Sequence, residues 1–348
     1  MTFSIGNFIL NIFLAFGLKY LWNMVTLLQF VVFMRQWLIV VPAEADIFLK
    51  ALKSLALFEF LPTDQINEVV MDWFGIEEAK NSLKEDRSLF QKIAVFALAG
   101  LLILFLVLFL LGLRLCVKKS PRARGCYDSL KRKLLYNTFI RYVLLGTLKI
   151  QLTIGGAILI GSLIPETAKE PAPETGFLIF GICVLVGMTL MPTLFAWVLY
   201  ANKGNLGNEE IKNKIGALYF SFLPDKPNMG SYSVVFLLRR SFFVLVTFAL
   251  YNFPSMQVEC MLYSTMLYVC YISNMNFYES KNHRRVVVMN ECILIGVCYH
   301  FVIFANPNFD IRIRFILGHS VIAFVCLLLA VNGIVIIGVN IEAIKRKL

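Results

Sequence analysis

Long apolar runs separated by shorter polar segments dominate the chain. Eight of these runs reach about 20 residues, the length that a helix needs to cross the hydrocarbon core of a membrane. They are Tyr20–Val41, Ile93–Leu115, Thr138–Ile164, Gly176–Tyr200, Ser231–Asn252, Gln257–Phe277, Val286–Ala305 and Ile313–Ile341. A shorter run, Phe3–Leu18, either crosses as a ninth helix or lies in the interface. The pattern predicts an all-α fold, a polytopic transmembrane helix bundle of 8–9 spans that forms a single domain over residues 1–348.

Two connections between these runs have a helical pattern of their own. The connection 43–87 is acidic, and four apolar residues recur in it at helical spacing: Phe48, Leu52, Leu55 and Phe58. This spacing predicts an amphipathic helix over Ala45–Leu61 that lies on the membrane. Four apolar residues have similar spacing in the connection 201–230: Ile211, Ile215, Leu218 and Phe222. One or two interfacial amphipathic helices are therefore expected beside the spans.

The distribution of basic residues predicts the orientation of the chain. Lysine and arginine concentrate in the C-terminal tail and in three segments: 114–133, 203–226 and 281–285. Because basic residues favour the cytoplasmic side of a membrane, the loop 114–137, the connection 201–230 and the C-terminus are predicted to be cytoplasmic. The acidic connections 43–87 and 165–175 are then extracytoplasmic. Eight spans place both chain ends inside, whereas nine place the N-terminus outside.

Composition agrees with a membrane protein. The chain is 59% hydrophobic and 16% charged, with a mean hydropathy of +0.74, as is typical of polytopic membrane proteins. Its net charge of +11 does not indicate a nucleic-acid partner, because the basic residues lie in loops beside the apolar runs. The expected partner is the lipid bilayer, with anionic lipid at the basic loop 114–133.

The positions of the cysteines indicate packing roles for most of them and do not indicate a metal or redox site. Six of the eight lie inside apolar runs and none forms a CxxC pair, so these six are expected to act as small core residues. Cys116 lies beside Lys118 and Lys119 at the end of a predicted span, which makes it a candidate for S-palmitoylation. An ordinary free thiol is the simpler interpretation of Cys116.

Charged residues inside apolar runs are the main candidates for a functional site. Arg239 and Arg240 lie well inside one predicted span, and Asn290 and Glu291 lie near the start of another. Each such charge costs about 2.5–3.5 kcal/mol in hydrocarbon, so the charges should be paired. On the predicted topology the arginines and Glu291 lie at similar depths from the cytoplasmic side. This predicts an ion pair that fixes helix register, with a gate, a sensor or an ion path as the functional alternative.

A second group of polar residues belongs to other predicted spans. Lys149 and Gln151 lie near mid-depth, and Glu259 is the acid closest in depth to Lys149. Lys149 is expected to pair either with Glu259 or with Gln151 and backbone carbonyls. Together with Asn290 and Glu291, these residues are candidates to line a pore inside one subunit. Five glycines nearby predict close helix contact: Gly155, Gly156, Gly161, Gly181 and Gly187.

Catalytic signatures are missing from the sequence. It contains no HExxH, no GxSxG and no P-loop, and no aspartate lies inside a predicted span. His300 and His319 occur singly in apolar runs and are expected to be core residues. The sequence therefore predicts neither an enzyme nor a cofactor or metal site. The two connections Asn252–Met256 and Asn306–Arg312 are also too short for a pore helix with a selectivity filter.

Several segments resemble a known membrane region. They are LWNMVTLLQFVVFM, VPAEADIFLKALKSLALFEFLPTD, FLLRRSFFV, the Pro254–Gln257 turn and VVVMNE. They resemble the C-terminal multi-pass membrane region of cysteine-rich surface proteins of ciliates and, more distantly, the TRP-like membrane domain of fungal flavin-carrier-type proteins. The resemblance implies an outside N-terminus, hence nine spans, in a plasma or ciliary membrane. Such relatives carry a long cysteine-rich ectodomain that this chain lacks, so either the chain is a reduced member or other subunits supply the outer part.

Two functions from different classes follow from these patterns. The first is a non-enzymatic polytopic membrane protein that anchors or organises a larger membrane or surface assembly. The second is an ion channel or transporter with a TRP-like membrane domain and a pore within the subunit. The intramembrane polar residues distinguish the two, since an anchor uses them to hold helices together and a transporter uses them to line a path.

Overall fold

The structure of the protein is a computed structural model in which a defined part of the chain is described. The described residues are 19–56, 147–156, 175–208, 215–219, 231–275, 280–306 and 308–345, with the single positions 105, 108, 109, 112, 211 and 278. This part of the chain is helical, with turns between the helices. The helices are α1 (Lys19–Met34), α2 (Ala43–Ala56), α3 (147–156), α4 (Thr175–Ala201), α5 (Ser231–Ala249), α6 (Pro254–Asn274), α7 (Lys281–Ala305) and α8 (Ile311–Lys345), with a 3₁₀ turn at Gly216–Tyr219.

Four of these helices contain segments that are long and apolar enough to cross a membrane. The segments are Gly181–Ala201, Ser231–Ala249, Lys281–Ala305 and Ile311–Glu342. The prediction of an all-helical membrane protein is thus supported within the described residues, where four candidate spans occur. Most of the predicted span Ile93–Leu115, the loop 114–137 and Cys116 lie outside the described residues.

The predicted span boundaries agree with α4, α5, α7 and α8 to within a few residues at most ends. α6 differs, because it begins at Pro254, where the sequence predicted a turn. Proline is well suited to the first turn of a helix, since its missing N–H has no partner there in any case. The turn between α5 and α6 is therefore closed earlier, by a hydrogen bond from Phe253 N to Leu250 O of 2.8 Å.

The end of α1 was predicted wrongly. The apolar run continues to Val41, but the helix ends at Met34, and Trp37 N then donates to Met34 O in a tight closing turn. Arg35 follows the helix directly and donates a hydrogen bond from Nε to Asp46 of α2. Lys50 Nζ lies 3.1 Å from the other carboxylate oxygen of Asp46. This cluster fixes the turn from α1 into α2, and the hydrogen bond from the Arg35 guanidinium holds the pKa of the Asp46 carboxyl below its usual range.

α2 is amphipathic, as predicted, but its inner face packs against protein. The buried residues follow a 4-3-4 spacing: Ala45, Leu49, Leu52 and Ala56. The predicted stripe centred on Phe48 and Leu52 is therefore shifted, and Phe48 is only half-buried. Gln29 of α1 donates to Ala56 O at 3.2 Å, and α2 packs against α8. Residues 57–87 of the acidic connection lie outside the described residues.

The chain divides into two units, and the first comprises Met1–Phe60 with Ala249–Leu348. Within it, every residue of α1 from Met24 to Met34 is buried, including the polar residues Thr26 and Gln29. α7 packs against both α6 and α8. Seven of its ten buried residues alternate four and three residues apart: His283, Val287, Asn290, Leu294, Val297, Phe301 and Phe304. This spacing is that of a left-handed helix pair packed along one seam.

The second unit comprises Leu61–Phe248. Two of the predicted glycine contacts are confirmed there, because a Cβ on Gly155 of α3 would overlap the ring of Phe248, and one on Gly181 of α4 would lie 3.2 Å from Ile154. Gly156 and Gly187 have no such neighbour within 4 Å, and Gly161 lies outside the described residues. Small residues thus bring α3 close to α4 and α5.

α4 exposes much of its length. Five large apolar residues follow one outward stripe: Ile182, Val186, Leu190, Leu194 and Trp197. Four of the six described cysteines are exposed as well, against the prediction that they are core residues: Cys183, Cys270, Cys292 and Cys326. Lipid tails are as apolar as a protein core, so an outward face of a membrane helix accepts cysteine as readily as an inward one.

Substituting Gly318 tests the docking of α2 on α8. A Cβ at Gly318 would lie 2.8 Å from Pro42 Cβ and 3.1 Å from Pro42 Cγ, and the proline ring cannot rotate away. Gly318→Ala is expected to lower the free energy of unfolding by about 1–2 kcal/mol, measured by denaturant titration in detergent. Gly338 of the same helix has nothing within 4 Å, so Gly338→Ala is the matched control and should be neutral or stabilising by up to about 1 kcal/mol. Equal effects of the two substitutions would contradict this packing.

The Asp46 cluster predicts a pH dependence of stability. A carboxyl whose pKa is lowered by folding stabilises the protein above its unfolded pKa, about 3.9, and loses that contribution as pH falls through its folded pKa. The melting temperature of Asp46→Asn should therefore lie below that of the wild type at pH 6–7. The difference should shrink below about pH 4. A difference that is constant from pH 7 to pH 3 would show that the charge of Asp46 does not contribute.

Candidate functional site

The best-defined polar contact among the candidate residues joins α7 to α8. Asn290 Nδ2 donates to Asn332 Oδ1 and Asn332 Nδ2 donates to Asn290 Oδ1, both at 2.9 Å. Asn332 Nδ2 also lies 2.7 Å from the carbonyl oxygen of Leu328. Both asparagines are completely buried. The two amides therefore satisfy each other within an apolar contact.

Helix spacing explains how the two amides meet. Asn290 lies on the inner seam of α7. Five of the buried residues of α8 form a matching seam: Gly318, Val321, Val325, Leu328 and Asn332. A shift of either helix by one residue would separate the amides, which would leave Asn290 without this partner and Asn332 with only the Leu328 carbonyl of its own helix. An unsatisfied buried amide costs about 1–3 kcal/mol, so the pair favours one register. The sequence interpretation missed Asn332, although the run Ile313–Ile341 contains two asparagines, Asn332 and Asn340, in an otherwise apolar stretch.

Glu291 follows Asn290 on α7 and is also buried. On α5, Arg240 is completely buried and Arg239 nearly so. The Arg240 guanidinium carbon lies 4.7 Å from the centre of the Phe236 ring, one turn earlier on the same helix, which is a favourable cation–π distance. α5 and α7 belong to separate units, so the predicted pair between the arginines and Glu291 stays a prediction.

The residues of the second predicted group, Lys149, Gln151 and Glu259, differ in how far they are buried. Gln151 of α3 is buried, and its Nε2 lies 3.4 Å from Thr189 Oγ1 of α4. Thr189 Oγ1 donates in turn to Leu185 O at 2.8 Å. Lys149 is half-buried, whereas Glu259 of α6 is exposed. Gln151 therefore contributes to the contact between α3 and α4, and the proposed pairing of Lys149 with Glu259 stays untested.

The histidines differ from one another. His300 fits the expected core role in part, because Nδ1 lies 2.6 Å from Gly296 O and Nε2 lies 2.9 Å from Ser320 Oγ of α8. His319 was predicted to be a core residue but is exposed, with Nδ1 3.1 Å from Phe315 O on its own helix. The third, His283, is buried with its ring edge-on to Tyr20 and Tyr278, at centroid distances of 5.1 and 5.3 Å.

Several of the polar residues that the structure describes form contacts between helices, and they do not form a metal-binding cluster. No group of three or more His, Cys, Asp or Glu side chains that could hold a metal ion occurs among the described residues. Three polar contacts of the first unit join one helix to another: Asn290 to Asn332, His300 to Ser320 and Gln29 to Ala56. Their geometry suits the holding of helices in place. Comparison with known proteins assigns no family, since no family model, no curated protein and no solved structure matches the chain.

A double-mutant cycle tests the asparagine pair. Asn290→Leu alone leaves the Asn332 amide buried without its cross-helix partner, and should lower the free energy of unfolding by about 1–3 kcal/mol. Asn332→Leu should cost a similar amount for the same reason. The double variant replaces both amides by apolar groups, so it should be more stable than the sum of the single effects by about 1 kcal/mol or more. Denaturant titration in detergent measures all four proteins.

Asn340 supplies the control for this cycle. It is completely buried on the same helix, but its amide donates to Ile336 O of its own helix at 2.7 Å. The effects of Asn290→Leu and Asn340→Leu should therefore add to within about 0.5 kcal/mol. Additivity in the Asn290–Asn332 cycle as well would show that the two amides do not stabilise each other.

Proposed function

We propose that the protein is a non-enzymatic polytopic membrane protein that anchors or organises a larger membrane or surface assembly. The observation that carries this proposal is the fully buried, reciprocal Asn290–Asn332 contact. Asn290 was a candidate to line a pore, yet its amide is used to join two helices. Residues that line a water-filled path keep hydrogen-bonding capacity for water or an ion, whereas these two amides use theirs on each other.

The outward stripe of α4 supports the anchoring part of the proposal. α4 is long enough to cross a membrane, yet most of its crossing segment is exposed. Five of its outward residues between Ile182 and Trp197 are large and apolar, and they lie beside the smaller exposed side chains of Cys183, Thr189 and Thr193. Such a face requires a cover of lipid or of another membrane protein. A protein that presents one crossing helix in this way is suited to hold a neighbouring subunit in the bilayer.

The proposed topology has nine spans, an extracytoplasmic N-terminus and a cytoplasmic C-terminus. The run Phe3–Leu18 supplies the first crossing, and the basic loop 114–137 and the connection 201–230 face the cytoplasm. The support is the alternation of basic and acidic segments and the resemblance to the membrane region of ciliate surface proteins. The same resemblance favours a plasma or ciliary membrane.

The alternative function is an ion channel or transporter with a pore inside the subunit. The observation that favours it is the burial of three ionisable side chains in candidate spans: Arg239, Arg240 and Glu291. Buried charges in membrane helices mark ion or proton paths in many transporters. The same charges can equally serve to hold helices together, so only a functional measurement separates the two.

Reconstitution of the purified chain into liposomes tests the proposal. The anchor function predicts no flux of potassium, chloride or protons above that of empty liposomes. It also predicts that the chain, extracted from its native membrane in mild detergent, migrates in native electrophoresis with a complex larger than the chain alone. Ion flux that is altered by Glu291→Gln in a folded protein, together with migration as a single chain, would contradict it.

A further inference from the structure

An open groove lies between the end of α6 and the beginning of α7. Its volume is about 320 Å³, at the lower end of the range for ligand pockets, which is about 300–1,000 Å³. It is lined by Ser273, Arg284, Arg285, Val288 and Met289. None of these residues was among the intramembrane candidates, and all of them belong to the first unit.

The charge around the groove favours an anion. From residue 279 to 285 the sequence contains Lys281, Arg284 and Arg285 but a single acid, Glu279. Two of the three cations line the groove, with Arg285 exposed and Arg284 half-buried. The partial positive charge at the start of α7 adds to them instead of compensating them. Arginine in a concave site with a hydroxyl beside it is a typical arrangement for binding phosphate.

The order of the lining residues distinguishes a lipid from a soluble ligand. Arg284 and Arg285 lie one turn closer to the start of α7 than Val288 and Met289, a separation of about 6 Å along the helix axis. α7 is a candidate membrane span from its first residue, so its start lies at the membrane interface. The groove is therefore basic at headgroup depth and apolar on the side of the hydrocarbon. A soluble phosphate would use only the first half of this surface.

We propose that this groove binds the phosphate group of an anionic lipid, with Arg284, Arg285 and Ser273 at the headgroup and Val288 and Met289 beside the acyl-glycerol part. The inference rests on the proposed membrane topology for the choice of leaflet, which is the cytoplasmic one. There the anionic lipids are concentrated and basic pockets between spans hold their headgroups. The lipid would bridge α6 and α7 at one end of their contact.

Native mass spectrometry of the full chain in detergent, titrated with dioleoyl phosphatidic acid, tests the proposal. Arg284→Gln/Arg285→Gln is expected to weaken binding about 30-fold and Arg285→Gln alone about fivefold. Arg285 is exposed, so the single variant should fold even if the double variant does not. Lys203→Gln/Arg312→Gln removes the same charge elsewhere and should bind as the wild type does. Dioleoyl phosphatidylcholine, which has no net charge, should bind far more weakly to all of these proteins.

Competition with glycerol 3-phosphate shows whether the groove prefers a lipid phosphate or a soluble phosphate ester. The proposal expects it to compete only weakly with the lipid, and expects Val288→Ser to weaken binding of phosphatidic acid. Unchanged lipid binding in Arg285→Gln and in the double variant would overturn the site, and glycerol 3-phosphate binding as tightly as the lipid would overturn the lipid as ligand. Binding in detergent does not depend on membrane orientation or on assembly. A wrong topology or a missing complex would therefore be seen separately, in the native membrane.

Discussion

The hydrocarbon of a membrane offers no hydrogen-bond partner to a polar side chain, so such a side chain has to find its partner inside the protein. In the described part of the chain, Asn290 and Asn332 meet this constraint, because their amides bond to each other in both directions at 2.9 Å. A shift in register costs little where only apolar residues meet, because each finds another apolar neighbour. The same shift costs more where it separates two hydrogen-bonded amides. The pair therefore fixes the register of α7 against α8, on which the packing of the first unit depends.

α7 and α8 each contact a further helix of the first unit. α7 also packs on α6, and α8 also packs on α2, where Gly318 leaves room for Pro42. Arg35 and Asp46 hold the turn that leads from α1 into α2. The groove with Arg284 and Arg285 lies at the other contact, between α6 and α7. The helices joined by the amide pair therefore also take part in the docking of the amphipathic helix, through α8, and in the proposed lipid site, through α7.

The four candidate spans of the described residues were readable from the sequence, because length and hydropathy alone identify a membrane span. α4 and α7 were located to within a few residues, and the amphipathic character of α2 was predicted correctly. The end of α1 was not, because the apolar run continues past Met34 and the turn is fixed by Arg35 meeting Asp46, a contact distant in sequence. Helix ends set by such contacts leave no signal in hydropathy.

The site was less predictable for a related reason. In a soluble protein the contrast between polar and apolar positions tells which face of a helix is buried, but a membrane helix is apolar on both faces. The prediction therefore placed Cys183, Cys292 and His319 in the core, although all three are exposed. It identified Asn290 as a residue that needs a partner, yet could not identify Asn332, because the pairing depends on which faces of α7 and α8 meet.

The asparagine pair holds α7 and α8 together only if water is excluded from the contact around it, and cysteine accessibility measures this exclusion most directly. Leu294 and Leu328 are buried one turn from Asn290 and Asn332, so a cysteine at either position reports on water without disturbing the amides. In a chain whose eight native cysteines are replaced, and in open membrane fragments that expose both faces, a water-soluble thiol reagent should leave Leu294→Cys and Leu328→Cys unmodified. It should modify Lys281→Cys at the exposed start of α7. Modification of Leu294→Cys and Leu328→Cys as fast as that of Lys281→Cys would reveal a water-filled path and contradict the account.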